Sequence, residues 1–486
     1  MAKNDLSVSL EKTLEELENI LSDTAELNIT KACVCGTPAA VVSAEGMVSA
    51  QQVGELVLRP LSELDFKEGE SGNVFDHITS KVFLTAARQL VYSLEDICTL
   101  LFSGFAVVLV DGECRACALG LQGFEMRSVG APEAEQTVRC AQDSFTETVR
   151  VNMSLIRRRL KTPKLVMKML DAGTLSKTDI CILYLKDRVP ADIVRRIKED
   201  IKSIRLDAVL TSGYAEPFVD ESFSGSVFSC VSLTERPDLV CTRLVQGRVC
   251  ILIDGTPFAL VVPSLFAESF QTMDDYSQKP YYTAFIRWIR YISFFLSVAF
   301  PGLYVALADH HPEVFSLKLL LNLSVAEEAT PYPLMAEVVM LMVFFEIMRE
   351  AGLRLPKAAG SAVSIVGGLI IGDAAVKSGI VSAPLLIVVG ITATASFVTP
   401  QLEQPAAVLR LLFILSGGLA GLFGLAVCFS VLVANVCAMN DFSVSYLSPA
   451  APFYPSGIKD IVYMKSFREY EKSRPTLSDI REAADE

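Results

Sequence analysis

Two hydropathy patterns divide the chain. Up to about residue 283, short β-branched runs alternate with amphipathic stretches; from 284 to 439 apolar residues dominate on every side. In the front part, FAVVLVDGECRACALGL (105–121) predicts two strands about an Asp-Gly turn. RVCILIDGTPFALVVP (248–263) repeats the phrase, through reuse of one hairpin unit or through independent use of one turn solution. TETVRVNMSLIRRRLKTPKL (146–165) predicts a helix running into a linker, TDICILYLKD (178–187) a strand, and PADIVRRIKEDIKSI (190–204) a helix opened by Pro190. The expected organisation is an α/β N-terminal region of two subdomains, 1–155 and 165–235. A connecting hairpin and membrane-proximal segment follow over 236–283.

The back part predicts an all-α polytopic membrane domain over 284–439, with about five spans in a range of four to six, and a polar tail over 440–486. FIRWIRYISFFLSVAFPGLYVALA (285–308) reads as the first span. Arg287, Trp288 and Arg290 are its expected membrane-interface anchors, with the arginines on the cytoplasmic side. VFSLKLLLNLSV (314–325) is too short to cross. Further spans are predicted at 333–352, 361–376 and 380–398. The run over 408–439 is long enough for a tilted or bent helix or a tight helical hairpin. Five crossings would put the basic tail outside, against the positive-inside bias, so either 314–325 or the last run holds an extra crossing or that bias is overridden.

Charge sharpens this division. Residues 1–283 hold 29 basic and 39 acidic side chains, whereas 284–438 hold 8 and 9. The net charge of −13 gives no basic footprint for nucleic acid. The polar, acidic N-terminus lacks the apolar core of a signal peptide, so the front is expected in the cytoplasm. The 12 cysteines are scattered and two lie in an apolar run, which points to reduced packing thiols. CRAC (114–117) lacks a second pair or a nearby His to complete a zinc site. With three His, no glycine-rich phosphate loop and no nucleophile arrangement, neither an enzyme nor a metal or cofactor is expected. The basic cluster Arg157, Arg158, Arg159, Lys161 and Lys164 reads as a solvated helix face or an intersubdomain contact, with attraction to anionic headgroups or an acidic partner as the alternative.

Within SAVSIVGGLIIGDAAV (361–376), small residues recur every four positions from Gly360 through Ser364 and Gly368 to Gly372. Such a ladder serves tight packing, a hinge, or the wall of a narrow pore. Glu337 and Glu346 lie inside a predicted span, where carboxylates are costly unless paired or facing water. Glu327 and Glu328, in the preceding loop, could form an acidic mouth that attracts cations.

Several phrases carry a resemblance. IRRRLKTPKL (156–165), TERPDLV (234–240), GRVCILIDGTPFALVVPSLFAESFQTMDDYSQKPYYTAFIRWIRYI (247–292), PGLYVAL (301–307), HPE (311–313) and EIMREAGLRLPKAAGSAVSIVGGLIIGDAAVKSGIVSAP (346–384) closely resemble the A subunit of the GerA-type spore germinant receptors. After Pro400, QLEQPAAVLRLL departs from the usual family wording. The resemblance implies an integral protein of the spore inner membrane with its N-terminal domain on the cytoplasmic side. It also implies work with a permease-like B subunit and a lipoprotein C subunit, and self-association into a cation channel that opens on germinant binding. On that footing Ser361, Ser364, Ile365, Gly368 and Gly372 are pore or gate candidates, and Glu327, Glu328, Glu337 and Glu346 cation-attracting groups. A sporulation homologue acting as an accessory ion channel is one alternative. A secondary transporter subunit is another, disfavoured by the lack of an internal repeat among the spans.

Overall fold

The computed structural model describes residues 6–21, 27–64, 74–79, 87–123, 130, 132, 135–220, 222–354, 374–453, 461 and 477. The chain divides into two units, one of residues 1–221, 231–264 and 474–486, the other of 222–230 and 265–473.

The first unit holds two five-stranded antiparallel sheets. In the first, β1 (Leu27–Val34), β2 (Thr37–Ala44), β3 (Ala87–Val91), β4 (Phe105–Val110) and β5 (Ala116–Gly120) take the order β1-β2-β4-β5-β3. Strand alternation sends Ala40, Val42, Val107 and Leu109 to one face and Ala39, Val41, Ala106 and Val108 to the other, and both faces are covered. α1 (Leu10–Ile20) and α2 (Leu94–Leu101) cover the first face because Leu10, Leu14 and Leu17 recur on one side of α1, and Leu94, Ile97 and Leu101 on one side of α2.

The second sheet repeats this plan. α3 (Val149–Arg159) precedes β6 (Leu165–Ala172) and β7 (Thr178–Leu185); α4 (Ala191–Ser203) follows, then β8 (Ser232–Thr234), α5 (Pro237–Val245), β9 (Val249–Ile253) and β10 (Ala259–Val262). The order β6-β7-β9-β10-β8 matches the first sheet position for position, and α3 and α5 cover one face as α1 and α2 do. This corrects the expected boundary at 235. Every residue of β9 is buried and the strand pairs on both sides, so 249–262 is the middle of a sheet and not a connector.

The likeness extends to the sequence. Residues 94–112 and 237–255 align at a constant offset, with Cys98/Cys241, Thr99/Thr242, Leu101/Leu244, Gly104/Gly247, Leu109/Leu252, Asp111/Asp254 and Gly112/Gly255 identical. All four glycines have φ between 85° and 89°, where a side chain would be strained. Asp111 Oδ1 accepts the Leu10 N–H at 2.9 Å, and Asp254 Oδ1 the Val149 N–H at 2.9 Å, so each Asp-Gly turn satisfies a free amide at the start of its repeat's first helix. The Gly112 N–H reaches Val8 O at 3.0 Å, and the Gly255 N–H reaches Glu147 O at 2.7 Å. The two hairpins are therefore one reused α/β unit.

Four members of the basic cluster at the end of α3 are engaged within the first unit, and Lys161 is exposed. Arg157 is 0% exposed, donates to Thr162 O and Leu165 O at 3.0 Å each, and stacks over Phe102 of the first repeat at 4.2 Å. Arg158 and Arg159 pair with Asp143, and Lys164 with Asp187. The intersubdomain reading holds for Arg157.

The second unit is helical: α6 (Pro280–Val305), α7 (Leu317–Glu328), α8 (Leu334–Arg354), α9 (Ala383–Ser396) and α10 (Glu403–Ala438). Among the described residues, two stretches, Pro280–His310 and Pro400–Ala438, are long and apolar enough to cross a membrane. The second is not straight, because Gly421 has φ 57° and ψ −143°, a conformation open in practice to glycine alone. A Cβ on Gly417 would stand 3.4 Å from Leu425 Cδ2, although residues eight apart in a straight helix are separated by about 12 Å. α10 is thus a hairpin. Its first arm runs alongside α6: Arg410 Nε donates to Ser297 O at 2.7 Å, Phe413 O would lie 2.5 Å from a Cβ on Gly302, and His310 Cβ 2.9 Å from one on Gly421. Its second arm returns, bringing Asn435 to Ser226, and Val436 and Met439 into the cluster of Phe228, Phe270 and Tyr446.

Two measurements test this fold. Asp111→Ala and Asp254→Ala should each lower stability by about 1 kcal/mol, the usual worth of a helix N-terminal cap, in thermal or denaturant unfolding. Unequal losses, with one substitution silent, would argue against equivalent roles. Burial also pushes the Cys98 and Cys117 thiols up to about 11 and Cys241 up to about 12. At pH 8 these thiols are protonated, so a disulfide reagent should label the exposed Cys33, Cys35 and Cys114 quickly and the buried three after unfolding.

Candidate functional site

The helical unit keeps charge inside an apolar exterior. Arg410, 1% exposed on the first arm of α10, pairs through Nη1 with Glu346 Oε1 of α8 at 2.9 Å. Glu346 Oε2 takes Arg349 Nη2 at 2.7 Å, and Arg349 Nη1 reaches Glu403 Oε1 at 2.9 Å. Two guanidiniums and two carboxylates cancel formally, and the chain of pairs joins α8 to α10 while the Arg410 bond to Ser297 O adds α6. Because a buried ion without a partner costs several kcal/mol, this network fixes which faces of the three helices meet. A cavity of about 570 Å³ opens beside it, lined by Met342, Val343, Ile347 and Leu411 together with Glu346 and Arg410.

Glu337 sits differently. It is 0% exposed, its Oε1 accepts the backbone N–H of Ser382 just before α9, and its Oε2 has no hydrogen-bond partner. The Ser382 hydroxyl, Tyr304 OH and Glu327 Oε1 are likewise buried and unpartnered. Glu337 and Asp309 each lie within electrostatic reach of Glu327, and all three lie within reach of Tyr304. Carboxylates and hydroxyls from α6, α7, α8 and the start of α9 therefore meet there, and among the described residues no ion pair supplies Glu327 or Glu337 with a cation. Glu328 is exposed and stays outside the cluster.

The expected interface arginines point elsewhere. Arg287 is fully buried and pairs with Asp275 at 3.0 Å, and Arg290 pairs with the same oxygen at 2.8 Å while donating to Phe270 O at 2.8 Å and Thr272 Oγ1 at 3.0 Å. They dock the segment 266–278 onto the start of α6 and do not reach outward. Trp288, on the other side of the helix, is 54% exposed. Ser361, Ser364, Ile365, Gly368 and Gly372 lie outside the described residues.

The sequence reading did not single out Arg410. Its signal was present: a lone arginine in VLRLLFILSG, within a long apolar run, requires a carboxylate, and Glu346 is an acid in another predicted span. Gly421 was less legible, because the three other glycines of SGGLAGLFG look equally able to bend a helix.

The apolar helical unit with buried charge, joined to a duplicated α/β unit, fits a membrane-associated protein with a large soluble domain. The family comparison makes this specific. A model described as Bacillus/Clostridium GerA spore germination protein matches residues 15–477, and the chain belongs to that family. Spore germination protein KA of Bacillus subtilis (strain 168) is 34% identical over 442 residues, covering 90% of this chain and 80% of that protein. Spore germination protein B1 of the same organism is 31% identical over 476 residues, covering 97% and 96%. A crystal structure of the N-terminal domain of the A subunit of the Bacillus megaterium spore germinant receptor GerK3 aligns at 26% identity with a TM-score of 0.44, covering 55% of this chain and 99% of that one. The recognition from sequence motifs is thus correct.

The ion-pair network gives a direct test. Glu346→Gln and Arg410→Gln, alone and combined, should show a coupling of about 1–3 kcal/mol in thermal unfolding of the detergent-solubilised chain. Strictly additive losses would mean that the two groups do not interact.

Proposed function

We propose that this chain is the membrane subunit of a nutrient-sensing spore germinant receptor, and that copies of it assemble into a cation channel opened by germinant binding. The carrying observation is the inverted polarity of the helical unit. Ile292, Phe295, Val343, Phe344, Leu419 and Phe423 are exposed while Arg287, Arg410 and Glu337 are buried, which suits a lipid surround. Family membership supports the role in germination.

The helix directions favour an even number of crossings. α8 runs against the first arm of α10: Met335 lies against Gly418 near one end, and Arg349 pairs with Glu403 at the other. α9 runs with α8, since Ser382 meets Glu337 and Phe397 meets Phe345. With α6 leading out, α8 and α9 leading back, 361–376 as the outward span between them, and the two arms of α10, the crossings number six. The tail then ends on the side where the chain entered. Leu477 supports this reading, because it is buried within the first unit and its N–H donates to Gln246 O at 3.0 Å.

In this reading the first unit faces the cytoplasm, the basic tail joins it there, and 361–376 lines the pore with Ser361, Ser364, Ile365, Gly368 and Gly372. Glu327 and Glu328 supply the acidic approach and Glu337 the interior charge, while Glu346 holds the helices in register. Permease-like B and lipoprotein C subunits are the expected partners. The test is potassium flux from liposomes carrying the full chain, with and without those partners. Ser364→Leu or Gly368→Leu should bring flux to background without lowering incorporation, and unchanged flux in both variants would remove 361–376 from the pore. Reporters fused to the two termini should lie on one side of the membrane.

A further inference from the structure

We infer that the pocket around Glu337 is a binding site for a single monovalent cation within each protomer. The reasoning starts from uncompensated charge. A carboxylate taken fully out of water needs a counter-charge or a proton, and Glu337 receives one backbone N–H on Oε1 and nothing on Oε2. Its surroundings add further acid, since Glu327 lies close enough to interact with it and also with Asp309, which His310 partly offsets. Arg410 and Arg349 are committed to Glu346 and Glu403.

The second observation is independent of the acids. Ser382, 3% exposed, holds its buried hydroxyl beside the carboxyl that its own N–H contacts, close enough to act on that charge but without the geometry of a hydrogen bond. Tyr304 OH is buried and unpartnered as well. Buried polar atoms in proteins are overwhelmingly paired, so several orphaned oxygens in one place indicate a missing shared partner. Carboxylate and hydroxyl oxygens without nitrogen or sulfur suit a hard cation. One fully buried charge, with the remaining acids partly exposed, is balanced by a single positive charge. Such a cation would bridge α8 to the start of α9, joining helices that the Arg410 network does not join.

This deepens the channel reading and rests on it only for the idea that the bound ion belongs to a conducted species. The experiment uses the purified full-length chain in detergent and compares its unfolding midpoint in potassium chloride, sodium chloride and N-methyl-glucamine chloride at equal ionic strength. A saturable upward shift of a few degrees is expected with at least one alkali cation. Glu337→Gln should abolish the shift, Ser382→Ala should weaken it, and Glu199→Gln, on the exposed face of α4, should leave it intact. If Glu337→Gln does not fold, the Ser382→Ala titration decides. The inference is overturned by a midpoint indifferent to the cation, by a shift that survives in Glu337→Gln, or by a midpoint that follows pH alone, the last meaning that a proton fills the place. Liposome flux separates the two claims: a cation-dependent midpoint without flux removes the channel and keeps the site, and flux without the shift does the reverse.

Discussion

A guanidinium held away from water in an apolar bundle constrains the helical unit more than any other group. Arg410 cannot be neutralised by losing its proton, so it must be met by a carboxylate and by carbonyl oxygen. Glu346 and Ser297 O meet it from two different helices. Once those bonds exist, the rotation of α8 and the first arm of α10 about their own axes is settled, and Arg349 and Glu403 extend the same seam. The glycines follow from this geometry, since Gly302 and Gly417 lie where the backbones of α6 and α10 come too close for any side chain. Tight apolar packing and the charged seam therefore reinforce one register.

In the first unit, a local motif carries an equivalent constraint. Each Asp-Gly turn sends its aspartate to the start of a helix about a hundred residues earlier in the chain, closing the repeat on itself. The hairpins were legible because alternation and turn chemistry are local signals. The pairing of β7 with β9 was not, because strand partners separated by three helices and a strand leave no local trace, and 248–263 consequently read as a connector. The duplication was half visible in the repeated hairpin phrase. The constant offset through α2 and α5 decides it, since shared turn chemistry alone would not reproduce Cys98 and Leu101 within a helix.

The helical unit was legible to a similar depth. Composition marked its extent, and the run over 408–439 was long enough to leave a hairpin open. Length alone could not choose between a bend and a return, because that depends on one residue's backbone angles at Gly421. Arg287 and Arg290 show a related ambiguity: arginines at the mouth of an apolar helix suit headgroups equally well as a protein carboxylate. Asp275, only twelve and fifteen positions away, takes both.

The four acids that the sequence grouped as cation-attracting separate once their neighbours are known. Glu346 lies between two guanidiniums, so its charge is spent on holding helices together. Glu328 is exposed and contributes only to the field outside. Glu337 and Glu327 retain buried oxygens without partners, and the charge of one acts on the other. A buried carboxylate that already has its cation offers a passing ion little, whereas one that lacks it gains from every ion that arrives. The distinction between a structural and an ion-binding acid thus rests on what surrounds it and not on its depth in the bundle.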